Sequence, residues 1–246
     1  MTSAAVIIPT TGAPEARVAI ASVLAQTHHD VQPWLVVDGP ECVAPFKAAV
    51  AGLDLRSARV SVLPENVGRG GFYGHRVYAA FSHLVNADCV LFLHQDNWFE
   101  PDHVASMIAT LEAGDLEWCF ALRRICGSDG AFLLNDDCES LGKWDAWTDM
   151  RFVDTNAYCL RRSVAVPMAG AWHGGWGQDR VFFSQLARHF PKFDCTRRYT
   201  VNYRLAGNPG SVTREFFATG NAAMRQRYPD GLPWQAGPEA SLSPVP

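Results

Sequence analysis

Short apolar runs alternate with amphipathic segments through the first half of the chain. The runs predict strands, and they lie at Ala4–Pro9, Val31–Val37, Val60–Leu63 and Cys89–Leu93. The segments between and after them predict helices, over residues 14–26, 44–52, 72–85 and 101–114. Strands that alternate with helices form parallel βαβ units with right-handed crossovers. The pattern therefore predicts an α/β protein with a Rossmann-like, mostly parallel sheet flanked by helices.

The alternation becomes irregular after about residue 115. Three segments remain strand candidates, at Trp118–Leu122, Phe152–Leu160 and Val201–Arg204. Residues 178–189 and 213–228 predict helices, whereas residues 123–149, rich in Asp, Gly and Trp, predict an irregular excursion. The five prolines of residues 229–246 predict an extended C-terminal tail.

Composition narrows the range of partners and locations. A net charge of −4 and a pI near 6.0 argue against a nucleic-acid partner. The seven cysteines form no CxxC pair, so reduced thiols are expected. No apolar run approaches the roughly 20 residues of a transmembrane helix. The first apolar run lacks the basic stretch of a signal peptide, so we expect a cytoplasmic protein.

Three acidic residues stand at the ends of predicted elements. Asp38 follows the second strand, Asp96 follows the fourth, and Asp179 begins a helix. Ligands of open α/β sheets bind at the carboxyl ends of the strands. The three acids therefore predict one cleft assembled from distant parts of the chain, an arrangement that suits a nucleotide-sugar enzyme.

Six segments in order resemble the family 2 glycosyltransferases, which have the A-type glycosyltransferase fold. They are Val6–Thr10, Ser22–Thr27, Val36–Gly39, Glu65–Gly68, Leu93–Pro101 and Gly177–Asp179. The resemblance spans roughly residues 4–215. It implies a single domain over residues 1–228, in which residues 1–114 bind the nucleotide sugar and residues 115–228 bind the acceptor. The implied activity is hexosyltransferase-like, with inversion at the anomeric carbon and an acceptor hydroxyl as nucleophile.

The resemblance also assigns the donor site. Asp38 would accept hydrogen bonds from the base or ribose, as an ionised carboxylate can. The glycine-rich segment 66–76 leads into a helix, whose free N–H groups and dipole favour a diphosphate. An alternative interpretation makes Asp38 a turn cap and segment 66–76 a flexible loop. The expected nucleotide-sugar-binding residues are Pro9, Thr10, Thr11, Asp38, Asn66, Gly68, Arg69, Arg76, Gln95 and Asp96.

The family's Asp-x-Asp metal motif is altered in this chain. His94 stands in its first position, so Asp96 is the remaining hard anionic ligand. Relatives often carry a late histidine ligand, which is missing from the run Tyr203-Arg204-Leu205-Ala206. Two interpretations stay open: either Asp96 and His94 hold a Mn or Mg ion with few other protein ligands, or His94 and nearby arginines meet the diphosphate directly.

The resemblance makes Asp179 the general base that deprotonates the acceptor hydroxyl. The alternative is a helix N-terminal acid that complements the dipole, and one residue can do both. Trp176, Gln178 and Asn156 are the expected acceptor-binding residues, and Trp172 is a further candidate for stacking on a sugar ring.

The sequence also bears on two other functions. A nucleotidyltransferase would need a basic glycine-rich loop after the first strand, and residues 9–12 contain no basic residue. A non-catalytic nucleotide- or sugar-binding descendant of the fold would explain the altered metal motif, but the three retained acids oppose it.

Overall fold

The computed structural model describes residues 1–205 and 212–235, so the predicted proline-rich tail lies outside the described residues from residue 236 onward. The strands are β1 Ala4–Thr10, β2 Val31–Val37, β3 Arg59–Val62, β4 Cys89–Phe92, β5 Trp98–Phe99, β6 Trp118–Cys126, β7 Phe132–Asn135, β8 Tyr158–Arg161 and β9 Phe193–Arg204. The helices are α1 Ala16–Leu24, α2 Val43–Ala49, α3 His75–Leu84, α4 His103–Ala113, α5 Arg162–Met168, α6 Gln178–His189 and α7 Arg214–Arg227. In this part of the chain, every helix is too short or too polar to span a lipid bilayer.

The nine strands of the described residues join one sheet, whose order is β3-β2-β1-β4-β8-β6-β9-β5, with β7 paired to β6. The first four strands of this order are parallel, as the alternating pattern predicted. Strand β8 runs antiparallel to both β4 and β6, and β6 is parallel to β9. Because β1 is parallel to both β2 and β4, the residues that follow these three strands meet at one edge of the sheet.

The core explains why the central strands are continuous apolar runs. Every residue of β1 and β4 is buried, as expected for strands covered on both faces. Trp172 lies inside this core, where its ring stacks on Phe182 of α6 at 3.8 Å between centroids. Phe182 in turn contacts Phe92 of β4 edge-on. These contacts fix α6 against the sheet and thereby hold its first turn near the strand ends.

The segment predicted to be irregular contains regular structure, so that prediction was partly wrong. Strand β6 continues to Cys126, and β7 pairs with it as the second strand of a hairpin. The basic pair Arg123-Arg124 resembles an exposed strand end in the sequence. Arg123 is nevertheless buried, because carboxylates from distant positions surround its guanidinium.

Other elements also differ from the predicted ones. Strand β8 begins only at Tyr158, since the Asp154 carboxylate caps a 3₁₀ turn before it. Helix α3 begins at His75, because Gly70, Gly71 and Tyr73 have positive φ angles. Helix α5 was not predicted; it contains Pro167, a residue that usually breaks helices.

Candidate active site

Asp38 ties the glycine-rich segment to the end of β2. Its buried carboxylate accepts hydrogen bonds from the Val67 N–H at 2.8 Å and the Gly68 N–H at 3.0 Å. A Cβ atom at Gly68 would lie 2.5 Å from the Tyr73 carbonyl oxygen, so only glycine fits there. Asp38 therefore fixes the shape of the segment that precedes α3.

Gln95 joins the end of β4 to the end of β1. Its Oε1 accepts from the Thr10 hydroxyl at 2.8 Å and the Thr11 N–H at 3.0 Å, and its Nε2 donates to Thr11 Oγ1 at 3.0 Å. Gly74, just before α3, packs so closely on Pro9 that an added Cβ would lie 2.8 Å from Pro9 Cγ. The structure thus brings the predicted donor residues of β1, β4 and the glycine-rich segment together.

The two predicted donor arginines have different surroundings. Arg69 is exposed and pairs with Glu41 at 2.9 Å, while its N–H is capped by the Asn66 side chain. Arg76 lies with its guanidinium carbon 3.4 Å from the centroid of the Phe72 ring. Its Nε is buried and has no hydrogen-bond partner within residues 1–205 and 212–235. Arg76 therefore places a positive charge beside the glycine-rich segment, whereas the charge of Arg69 is paired with Glu41.

His94 and Asp96 follow β4 at the same edge. The His94 N–H donates to Asn156 Oδ1 at 2.6 Å, and its ring stacks on Tyr78. The His94 Nε2 is buried and unpartnered in the described chain. The Asp96 carbonyl accepts from Arg204 Nε at 3.0 Å, which clamps the turn after β4 to the end of β9.

These residues do not fit a metal site made by the protein alone. No group of three His, Cys, Asp or Glu side chains in the described residues is placed to hold a metal ion. Asp96 supplies one carboxylate, and the Arg204 guanidinium lies beside its backbone. A divalent ion bound here would take most of its ligands from substrate phosphates and water.

Asp179 lies in the first turn of α6. Gly177, with φ of 80°, precedes the helix in the left-handed conformation that glycine adopts readily. Burial raises the pKa of the Asp179 carboxyl, and the nearby Asp154 charge raises it further. The Arg180 N–H donates to Asp179 Oδ1 at 2.9 Å. A carboxylate with a raised pKa is a stronger base than an ordinary aspartate.

Asn156, predicted to bind acceptor, is fully buried and hydrogen-bonds within the protein. Its Nδ2 donates to Asp154 Oδ1 at 2.6 Å, and its Oδ1 holds the His94 N–H. Asp154 Oδ2 accepts from Arg123 Nη1 at 2.8 Å. Asn156 thus connects the turn after β4 to the buried charges around Arg123.

The sequence pattern did not predict this buried charge cluster, which consists of Arg123, Asp136, Glu139 and Asp154. Arg123 pairs with Asp136 at 2.7 Å and with Glu139. The Arg123 charge and hydrogen bonds hold the pKa of Asp136 below its usual value, although burial opposes them. Burial raises the pKa of Glu139. The signal available in the sequence was an acidic run that follows a strand containing a basic residue.

Two buried tyrosines show that the acids share one region. Burial raises the pKa of Tyr78, and the Asp96 and Asp154 charges raise it further. The pKa of Tyr158 is raised by burial and then by Asp179 and Asp154. Asp154 therefore acts on one tyrosine together with Asp96 and on the other together with Asp179.

The loop before α6 contacts the glycine-rich segment that Asp38 anchors. His75 Nδ1 donates to the Gly174 carbonyl at 2.9 Å, and a Cβ at Gly175 would lie 3.0 Å from the Gly71 carbonyl oxygen. The Asp38-anchored segment therefore contacts the loop that leads to Asp179. These contacts link Asp38 to the loop before Asp179, and the single cleft lined by all three acids stays a prediction.

The two tryptophans proposed for sugar stacking lie in different environments. Trp176 is 77% exposed on the loop before α6. Trp172 is fully buried, so its prediction as a stacking surface was wrong; it serves the core beneath α6. Gln178 turns back, and its Nε2 donates to the Ala171 carbonyl at 2.6 Å.

Comparisons with known proteins agree with this architecture. The family model of glycosyl transferase family 2 matches residues 5–165, and the chain belongs to that family. No curated protein sequence matches it.

Crystal structures of S. aureus TarS show the same fold, which confirms the predicted A-type class. Residues 1–349 of TarS in complex with UDP-GlcNAc align with a TM-score of 0.64 at 11% identity, over 87% of this chain and 63% of TarS 1–349. The UDP complex gives 0.59 at 10% identity, over 98% and 76%. TarS 1–349 itself gives 0.60 at 11% identity, over 82% and 60%. The chain thus spans about six-tenths of the first of these structures.

Proposed function

We propose that the protein is an inverting glycosyltransferase that moves a sugar from a nucleoside-diphosphate sugar to an acceptor hydroxyl. The observation that carries this proposal is the environment of Asp179, a half-buried carboxylate of raised pKa that directly follows the loop of residues 174–177. Membership of family 2 supports it. The TarS structures with UDP-GlcNAc and UDP support a nucleotide-sugar donor.

Residues 1–114 would bind the donor. Asp38 shapes the glycine-rich segment, and Gln95 locks the ends of β1 and β4 beside it. The diphosphate would lie near Arg76 and the N-terminus of α3, where N–H groups and the dipole favour anions. The departing nucleoside diphosphate is stable as an anion, so its release needs positive charge more than a proton donor.

Residues 115–228 would bind the acceptor. Asp179 would take the proton of the acceptor hydroxyl while that oxygen attacks the anomeric carbon from the face opposite the leaving diphosphate. Trp176 offers an exposed indole face to the acceptor ring. Gln178 and Asn156 would act by shaping the loop before α6 and the turn after β4.

The donor experiment uses the full chain with a panel of UDP-, GDP- and dTDP-sugars and simple glycoside acceptors. We expect release of nucleoside diphosphate, and an NMR spectrum of the product whose anomeric configuration is opposite to that of the donor. Retained configuration would contradict the inverting mechanism. Nucleotide binding without any turnover would favour a non-catalytic descendant, and release of pyrophosphate would indicate a nucleotidyltransferase.

Replacing Asp38 with alanine should mainly weaken donor binding. The change frees the Val67 and Gly68 N–H groups and loosens the glycine-rich segment. We expect the affinity for free nucleotide to fall about tenfold or more, consistent with loss of hydrogen bonds to a charged group. Isothermal titration calorimetry measures this. The control is Asp54→Ala, an exposed acid after α2 that pairs with Arg56; equal losses in both variants would contradict the role of Asp38.

Metal removal should leave most of the activity. We propose that basic side chains and backbone N–H groups neutralise most of the diphosphate charge, because Asp96 is the only carboxylate of the altered motif. Turnover is compared after EDTA treatment and after addition of Mn²⁺ or Mg²⁺. A loss above about tenfold that Mn²⁺ restores would show that Asp96, with His94 or alone, holds an essential ion.

A further inference from the structure

Arg180 lies next to the proposed base, and its guanidinium forms no salt bridge within residues 1–205 and 212–235. Its side chain lies between two aromatic rings, with the guanidinium carbon 5.6 Å from the Phe152 centroid and 5.4 Å from the Trp176 centroid. The Nε is buried and lacks a hydrogen-bond partner among the described residues. No carboxylate in that part of the chain forms an ion pair with Arg180.

Several other half-buried arginines of the described chain have partners within the protein, whereas Arg76 of the proposed donor site shares the unpartnered Nε. Arg124 pairs with Glu100 at 2.8 Å, Arg161 donates to the Leu116 carbonyl at 2.6 Å, and Arg204 donates to two carbonyls. Arg180 is half-buried, and partial removal of a cation from water without a compensating anion costs free energy. The Phe152 and Trp176 rings offset only part of this cost, since cation–π contacts contribute about 0.5–2 kcal/mol. The Arg180 guanidinium is therefore held ready for an anion from outside the chain.

We propose that the acceptor is a saccharide that carries an acidic group, carboxylate or phosphate, and that Arg180 binds this group while Trp176 stacks on the sugar ring. The inference rests on the proposed function and names its acceptor class. Arg180 directly follows Asp179, so an anion bound to Arg180 would place the attached ring at the base. A guanidinium pairs with either acidic group through parallel hydrogen bonds.

Anion binding at Arg180 would also strengthen the base. The Arg180 charge lowers the pKa of Asp179, opposing burial and Asp154. An acceptor anion that pairs with Arg180 cancels this effect and raises the proton affinity of Asp179. Binding of the acceptor would thus make Asp179 a stronger base for the proton of the acceptor hydroxyl.

The test measures binding of matched glycosides to the full chain saturated with UDP. The probes are methyl β-glucuronide, methyl β-glucoside 6-phosphate and neutral methyl β-glucoside, titrated by calorimetry or saturation-transfer NMR. We expect at least one charged probe to bind about tenfold or more tightly than the neutral one, as a charge-assisted hydrogen bond predicts. Comparison of the two charged probes identifies the acidic group.

Two variants locate the effect. Arg180→Gln should abolish the preference for charged probes and leave UDP affinity unchanged. Arg188→Gln removes an exposed charge from the same helix and should leave the preference intact. Equal binding of charged and neutral probes, or no binding of any probe, overturns the proposal, as does an unchanged preference in Arg180→Gln. Displacement of UDP by the charged probes would place the anion in the donor site and likewise overturn it. Failure to bind UDP at all would instead refute the proposed function.

Discussion

Replacement of Asp179 by asparagine is expected to lower kcat by about 10²–10⁴-fold, the usual contribution of a general base. Asparagine has nearly the same shape, and its oxygen can still accept the Arg180 N–H. It cannot take a proton from the acceptor hydroxyl. Nucleotide affinity should change little, because in our proposal Asp38, Gln95 and the glycine-rich segment form the donor site and Asp179 does not. Turnover is followed by release of nucleoside diphosphate, and affinity by calorimetry with UDP.

A matched control separates the base from a helix N-terminal acid. Glu215 lies in the first turn of α7, where it complements the helix dipole as Asp179 does in α6. Glu215→Gln should leave turnover unchanged. If Asp179→Asn lowers only the melting temperature, or weakens UDP binding at unchanged turnover, the assignment of the base is refuted.

The pH profile provides a second readout of the same role. The base acts only when ionised, so kcat/KM should fall about tenfold per pH unit below the pKa of Asp179. Burial and Asp154 raise that pKa, while Arg180 and Arg123 lower it, and the net shift is upward. The acidic limb should therefore lie above the ordinary aspartate value of about 3.9. The residual activity of Asp179→Asn should lack this limb.

The first half of the fold was predictable because local pattern and tertiary role agree there. Strands β1 and β4 are buried on both faces, and their sequences are continuous apolar runs. The acids after β2 and β4 were identified by the rule that strand ends in parallel sheets form the binding edge. The family match over residues 5–165 confirms the resemblance that these segments carried.

The second half was less predictable because distant contacts determine it. Arg123 can be buried in β6 because Asp136, Glu139 and Asp154 neutralise its charge. These acids lie 13, 16 and 31 residues further along the chain, beyond the reach of a local sequence pattern. Trp172 and Trp176 are separated by three residues, yet one is in the core and the other is exposed. In the sequence, Arg180 resembles any helical arginine. Only the three-dimensional structure shows that its buried Nε has no hydrogen-bond partner within the described residues.

Removing the Arg123 charge should have the largest effect on stability. Arg123→Met leaves three buried carboxylates without their cation, and breaking a buried pair from one side costs about 3–5 kcal/mol. Urea unfolding at neutral pH measures the loss. The control is Arg124→Met in the same strand, which removes a half-exposed pair with Glu100. That change should cost less than about 1 kcal/mol, because water screens the pair.

Acidification should reduce the difference in unfolding free energy between the wild type and Arg123→Met. In the wild type, the pKa of Asp136 is depressed, so its stabilising contribution is present above its unfolded value and is lost as pH falls through the folded value. In the variant, burial without the cation should raise the pKa of these acids, so protonation then favours the folded state. The variant should therefore lose less stability than the wild type as pH falls. A difference in unfolding free energy that is independent of pH would mean that Arg123 stabilises the fold by packing against the Tyr203 and Phe217 rings, and not by charge.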